Sequence, residues 1–180
     1  EVQTGIGRTG AWFAFQHTEI QPDVMSLAKG LGSGVPIGAC LARGVAAETF
    51  TPGKHGSTFG GNPLATAAGL ATLSIIQEEK LRENADKMGN LIAQGFRAAF
   101  ADTPEVVSIR NAGLMIGVEL DRPCAELVKL ALAEHMLINV TAERVIRLLP
   151  PLVINESEVA HLVSKLSAVV KKFLQHSASK

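Results

Sequence analysis

The hydrophobic pattern of the chain changes near residue 80, and this change limits the folds that the chain can adopt. From Leu64 to Ile76 the sequence is apolar or small on every side, which is typical of a helix buried all round. Charge then appears over residues 77–80, and an amphipathic helix is predicted from about Leu81 to Phe100. We therefore predict two domains, residues 1–80 and residues 81–180.

The first domain is glycine-rich, with short apolar stretches between turns. Two of these stretches, Val24–Ala28 and Pro36–Ala42, have the length and flanking turn residues of buried strands. Asn62 followed by Pro63 predicts the start of a helix, with asparagine as the cap and proline in the first position.

The second domain alternates predicted strands and helices. A strand is predicted at Leu114–Leu120, a helix from about Pro123 to His135, and short strands near Leu137–Val140 and Val145–Leu149. The spacing of Asn155 and Glu158 predicts a capping box at the start of a last helix. Its apolar residues recur at helical spacing and should face the core: Val159, Leu162, Val163, Leu166, Val169 and Phe173.

Composition excludes several classes of function. Of 180 residues, 47% are hydrophobic, and the 17 basic residues balance the 17 acidic ones, which gives no reason to expect nucleic acid or an anionic membrane as a partner. No apolar run approaches the roughly 18 residues of a membrane span. Cys40 and Cys124 are far apart in apolar surroundings, so we expect free thiols in a reducing cytoplasm. The five histidines show no metal-binding spacing.

Gly5, Gly7 and Gly10 match the dinucleotide-binding pattern GxGxxG by letter. That fingerprint needs a strand before it and a helix opening at it. The following Ala11–Phe15 shows no helix-start chemistry, so a glycine-rich connection is favoured.

Lys29 follows an apolar strand and precedes Gly30, Gly32 and Gly34. Desolvation at such a position would lower the pKa of the amine and make it a nucleophile towards an aldehyde. The glycines would let the backbone approach a flat, phosphate-bearing cofactor. From spacing alone, a solvated surface lysine remains an alternative.

Arg147 interrupts an apolar strand between Ile146 and Leu148. A buried guanidinium needs a carboxylate or a phosphate opposite it, and its planar fork suits a carboxylate. The residues alone leave three interpretations open: an internal salt bridge, a surface arginine on an edge strand, and a carboxylate-binding residue.

Three stretches occur in the order found in one protein family. Glu1–Gly10 with Pro22-Asp23 and Ala28-Lys29, then His55–Ala65, and then Val145–Leu152 together resemble the class III aminotransferases. The resemblance covers essentially the whole chain. It implies an α/β fold: the C-terminal part of the pyridoxal-phosphate (PLP)-dependent transferase large domain, with a mixed, mostly parallel sheet, followed by a small α/β domain.

The resemblance also implies roles for particular residues. Lys29 would form a Schiff base with PLP and then shuttle a proton. Gln3 would hydrogen-bond the phenolic oxygen of PLP, and Ser57 and Thr58 would reach the PLP phosphate of a neighbouring subunit. Arg147 would bind the α-carboxylate of the substrate. Without the resemblance, Gln3 would equally suit an exposed loop amide, and Ser57 and Thr58 an ordinary turn before a helix.

The implied activity moves the terminal amine of N-acetylornithine, or of a related ω-amine donor, to 2-oxoglutarate in arginine and ornithine metabolism. The implied assembly is a homodimer with an active site shared between subunits. Ornithine and 4-aminobutyrate remain alternative donors. The family's aspartate for the pyridine nitrogen precedes Glu1 in the pattern, so a catalytically incomplete C-terminal fragment is a further alternative for the chain as given.

Overall fold

A computed structural model describes residues 1–177. The described chain divides into two compact units, the first Glu1–Glu83 and the second beginning at Asn84. The division falls within the first turn of a helix that begins at Leu81. Among residues 1–177, no helix combines the length and the hydropathy that crossing a membrane requires.

The first unit contains one strand pair and one long helix. Strands β1 (Val24–Leu27) and β2 (Ala39–Ala42) pair antiparallel, and helix α1 spans Pro63–Glu78. Three short 3₁₀ helices lie at Ala14–His17, Lys29–Gly32 and Gly44–Thr49.

Helix α1 begins as the sequence predicts. The side chain of Asn62 accepts a hydrogen bond from the backbone N–H of Ala65 at 3.0 Å, and Pro63 occupies the first helical position. A cap of this kind satisfies one of the amides that the first turn leaves without a partner.

The prediction that this helix is buried all round is wrong for the described chain. Ala65, Gly69 and Ile76 are buried, whereas Leu64 and Leu70 are 74% and 68% exposed. Only one face of α1 packs against other residues of the first unit, and sequence periodicity cannot show how many faces find a neighbour.

The second unit is a four-stranded antiparallel sheet covered by helices. The strand order is β3-β4-β6-β5. The bounds are β3 Val106–Ala112, β4 Met115–Leu120, β5 Asn139–Thr141 and β6 Val145–Leu148 for the strands, and α2 Leu81–Ala99, α3 Leu127–Ala133 and α4 Glu156–Ser177 for the helices.

The α/β class is confirmed, with two differences in detail. Every strand pair among residues 1–177 is antiparallel, so the mostly parallel pairing that the resemblance implies does not occur within the described chain. Strand β3 was not predicted, because its polar residues Ser108, Arg110 and Asn111 interrupt the apolar pattern of an edge strand.

The core of the second unit lies between one face of the sheet and helices α2 and α4. Ile92 and Phe96 of α2, Ile116 of β4, Ile146 of β6 and Leu166 of α4 are all essentially inaccessible to solvent. Continuous burial of this kind is the main favourable term in the stability of such a unit.

Helix α4 begins with the predicted capping box, which the structure confirms. The backbone N–H of Glu158 donates to Asn155 Oδ1 at 3.0 Å, and the backbone N–H of Asn155 donates to Glu158 Oε2 at 2.9 Å. Asn84 ties α2 to the segment before α4 by donating from Nδ2 to the carbonyl oxygens of Leu152 and Ile154.

Gly89 of α2 provides a test of how α2 packs against the β3–β4 turn. An alanine normally stabilises a helix interior by about 1 kcal/mol relative to glycine. A methyl group on Gly89 would instead collide with the backbone of Gly113, so Gly89→Ala should lower the free energy of unfolding by about 2 kcal/mol or more. Urea unfolding followed by circular dichroism measures this change.

The comparator is Gly95→Ala on the same helix. There the new methyl group would lie 3.0 Å from the two side-chain methyl groups of Val163, which can shift. A smaller loss is expected than for Gly89→Ala. Equal or greater stability of Gly89→Ala relative to the parent chain would contradict the described packing.

Candidate active site

Lys29 occupies a strained backbone position directly after strand β1. Its φ is +49°, in the left-handed region, and Ser33 at the end of the same 3₁₀ helix has a φ of +47°. Each such non-glycine residue costs about 1–3 kcal/mol and persists only where its surroundings hold it. Residues with strained backbone cluster at active sites and ligand-binding sites.

Two neighbours hold this turn. Ile6 also has a positive φ, +57°, and is only 4% exposed. Its side chain packs against Gly30, where an added Cβ would lie 3.6 Å from Ile6 Cβ. On the other side the turn lies close to α1. A Cβ added to Gly69 of α1 would lie only 3.5 Å from the carbonyl oxygen of Leu31. The Lys29 turn is therefore held between the glycine-rich loop and α1.

The side chain of Lys29 is exposed in the described chain. The desolvation that the sequence analysis considered for this amine is therefore not provided by residues 1–177. What these residues provide is a fixed backbone from which an accessible amine projects.

Gln3 lies in the loop that includes Ile6. Residues 2–9 form consecutive turns, and Gly7 and Gly10 have positive φ values of +84° and +87°. The first helix after them is the short 3₁₀ segment Ala14–His17, which agrees with a glycine-rich connection and does not fit the dinucleotide fingerprint.

Glu1 is a residue that the sequence analysis did not single out. Its Oε2 accepts hydrogen bonds from Thr4 Oγ1 at 2.6 Å and from the backbone N–H of Ala14 at 3.0 Å. Its Oε1 accepts from the backbone N–H of Phe15 at 3.0 Å. No sequence pattern gives the contacts to Ala14 and Phe15, because they depend on how the loop folds back.

Ser57 and Thr58 lie in an exposed segment before α1. Within the described residues 1–177, the hydrogen bonding of Ser57 stays inside its own turn, where the backbone N–H of Gly60 donates to Ser57 Oγ at 3.1 Å. The segment leads into the amino end of α1, which begins after Asn62. A helix of this length carries a partial positive charge there.

Arg147 lies in β6 of the second unit, between the buried Ile146 and Leu148. Because side chains alternate along a strand, Arg147 belongs to the sheet face opposite the core. In register it forms a row with Asn139 of β5 and, through Gly117 of β4, with Arg110 of β3.

Two features mark the surroundings of Arg147. A cleft of about 370 Å³ is lined by Arg147 and eight neighbours, among them Asn139 and Pro150. On the same sheet face, Glu119 binds Arg110 at 2.7 Å and Arg144 at 3.0 Å.

The structure thus brings the Gln3 loop and the Lys29 turn together within the first unit. Arg147 belongs to the second unit.

Comparison with known sequences gives a consistent result. A family profile described as "Aminotransferase class-III" matches residues 1–170. The chain is 55% identical over 175 residues to an acetylornithine aminotransferase of Nitrosomonas europaea, covering 97% of this chain and 44% of that protein. It is 47% identical over 170 residues to one of Aquifex aeolicus, covering 94% and 43%.

Solved structures agree with the sequence matches. An ornithine aminotransferase of Toxoplasma gondii matches with a TM-score of 0.89 at 34% identity, over 100% of this chain and 43% of that one. An acetylornithine aminotransferase of Elizabethkingia anophelis matches with a TM-score of 0.87 at 36% identity, over 96% and 44%. The chain spans less than half the length of these relatives.

The profile match over residues 1–170, together with relatives that share about half of its residues, shows that the chain belongs to the class III aminotransferases.

Proposed function

We propose that the full-length protein is a PLP-dependent aminotransferase that moves the terminal amino group of N-acetylornithine to 2-oxoglutarate, a step in arginine and ornithine metabolism. The observation that carries the proposal is the exposed amine of Lys29 on a strained turn, held by Ile6 and α1. The identity of 47–55% to acetylornithine aminotransferases supports this choice of donor.

The residues present fit PLP. Lys29 offers a primary amine for an aldehyde, Gln3 offers an amide N–H for a phenolic oxygen, and Ser57 and Thr58 offer hydroxyl groups for a phosphate near a helix start. When bound, PLP supplies the aldehyde and an aromatic ring that draws electron density from the substrate.

Lys29 would have two tasks. It would hold the cofactor covalently through Nζ, and its amine, once displaced by the incoming substrate, would accept a proton from the substrate carbon that bears the amino group and return it at cofactor C4′. The fixed backbone of the turn would keep the amine within reach of both carbons.

Arg147 would bind the α-carboxylate of the substrate through its two parallel N–H donors. Its strand is held by the core on one face, so the guanidinium would start from a rigid support on the other. Rigid placement reduces the entropy lost on binding.

The proposed assembly is a homodimer in which Ser57 and Thr58 contact the cofactor phosphate of the partner subunit. The exposure of this segment supports the proposal. We also propose a cytoplasmic location, and neither nucleic acid nor membrane enters the proposed reaction.

Ornithine is a second candidate donor, because several structural neighbours are named ornithine aminotransferases. Full-length protein supplied with PLP and 2-oxoglutarate should use N-acetylornithine with a kcat/KM at least about tenfold above that for ornithine, since a site shaped for the acetyl amide is not filled by the smaller donor. Glutamate formation measures both rates. A preference for ornithine would contradict the donor assignment, and no transfer from either donor or from 4-aminobutyrate would contradict the activity.

Arg147→Ala in the full-length protein should raise the KM for both 2-oxoglutarate and the amine donor, because both present an α-carboxylate. Loss of one partner of a charge pair costs roughly 2–5 kcal/mol. Steady-state kinetics measure this effect, with Arg147→Lys testing whether charge alone is sufficient.

Arg122→Ala is the matched control. Arg122 binds Asp121 at the surface at 2.7 Å, and its loss should leave both KM values unchanged. An unchanged KM in Arg147→Ala would remove the carboxylate-binding role.

A further inference from the structure

The carboxylate of Glu1 organises the loop that carries Gln3. It accepts three hydrogen bonds, from Thr4 Oγ1, the backbone N–H of Ala14 and the backbone N–H of Phe15. Ala14 and Phe15 are the first residues of a 3₁₀ helix, whose leading amides have no partner within the helix. Glu1 therefore caps this helix from the far end of the loop.

The backbone beside Glu1 is equally constrained. The N–H of Gly5 donates to the carbonyl oxygen of Glu1 at 3.0 Å. A Cβ on Gly5 would lie 2.9 Å from that oxygen and 3.4 Å from Phe13 Cδ1. The backbone at Gln3 is thus fixed on both sides, by Glu1 before it and by Thr4 and Gly5 after it.

The same loop reaches the Lys29 turn. Ile6 follows Gly5 directly and packs against Gly30, next to Lys29. A displacement of the loop at Glu1 is therefore transmitted both to Gln3 and to the contact that supports the lysine.

The electrostatics agree with this geometry. Partial burial acts to raise the pKa of the Glu1 carboxyl, but the hydrogen bonds from Thr4, Ala14 and Phe15 outweigh it and lower the pKa below its ordinary value. Because the pKa of this carboxyl is lowered, the group is ionised at neutral pH, and both of its oxygens are then free to accept these hydrogen bonds.

We propose that Glu1 is a positioning residue for the cofactor: it holds the loop so that the Gln3 amide meets the phenolic oxygen of PLP attached at Lys29. This inference rests on the proposed function. Glu1 itself touches neither cofactor nor substrate in this account and acts through Gln3.

Glu1→Gln in the full-length protein tests the proposal, because it keeps the shape of the side chain and removes its charge. At saturating PLP, the visible absorption and circular dichroism of the bound cofactor should shift, as they should for Gln3→Ala. Titration of the cofactor-free protein with PLP should show binding weakened about tenfold by loss of charge-assisted hydrogen bonds. Hydrogen exchange at the amides of Ala14 and Phe15 should accelerate even without PLP.

Glu19→Gln is the control, since Glu19 is an exposed glutamate just after the same 3₁₀ helix, and it should match the parent protein in all three measurements. In the double variant Glu1→Gln/Gln3→Ala the spectral and binding effects should not add, because both act through one contact. Full additivity, or a Glu1→Gln protein with parental spectrum and PLP affinity, would overturn the proposal.

Thr4 offers an independent route if Glu1→Gln does not fold. Thr4→Val removes the hydroxyl donor to Glu1 and should shift the spectrum in the same direction, whereas Thr4→Ser should restore it. A parental spectrum in Thr4→Val would then count against the proposal. A parent protein without any visible PLP band would remove the proposed function and this inference with it, whereas a parent band with unaltered variants would remove only the inference.

Discussion

The first unit depends on the contact between Ile6 and Gly30. Ile6 and Lys29, the residue before Gly30, each have a φ in the left-handed region. A Cβ at position 30 would lie in van der Waals contact with Ile6, 3.6 Å from its Cβ, which leaves little room for a larger side chain on that side. The loop, the lysine turn and α1 are therefore one packed arrangement, and the amine of Lys29 takes its position from that arrangement.

The second unit supports its arginine in a different way. There the burial is continuous: β4 and β6 present Ile116, Val118 and Ile146 to one core under α2 and α4. Arg147 emerges on the other face of the same strand. Burial of its neighbours therefore supplies the rigidity that, in the first unit, comes from close backbone contacts.

Interactions between residues close in sequence made part of the fold predictable from the sequence. The cap at Asn62 and the capping box of Asn155 with Glu158 were predicted because they involve residues three apart. The apolar face of α4 was predicted because its period is that of a helix. Lys29, Gln3, Ser57, Thr58 and Arg147 were assigned roles through family resemblance, and those roles remain predictions.

The features of the fold that were not predicted depend on tertiary contacts, which no short sequence pattern indicates. The exposure of Leu64 and Leu70 depends on which faces of α1 meet a neighbour. The bond from Glu1 to Phe15 joins residues that are 14 positions apart, and β3 is a strand because β4 pairs with it, despite its polar residues.

The attachment of the cofactor to Lys29 is the central claim, and mapping the modified peptide tests it most directly. Full-length protein loaded with PLP is reduced with borohydride, digested, and analysed by mass spectrometry. The pyridoxyl-phosphate group is expected on the peptide containing Lys29, and it should be absent from Lys29→Ala carried through the same procedure. Modification at another lysine in the parent protein, or an undiminished site-specific adduct in Lys29→Ala, would contradict the claim.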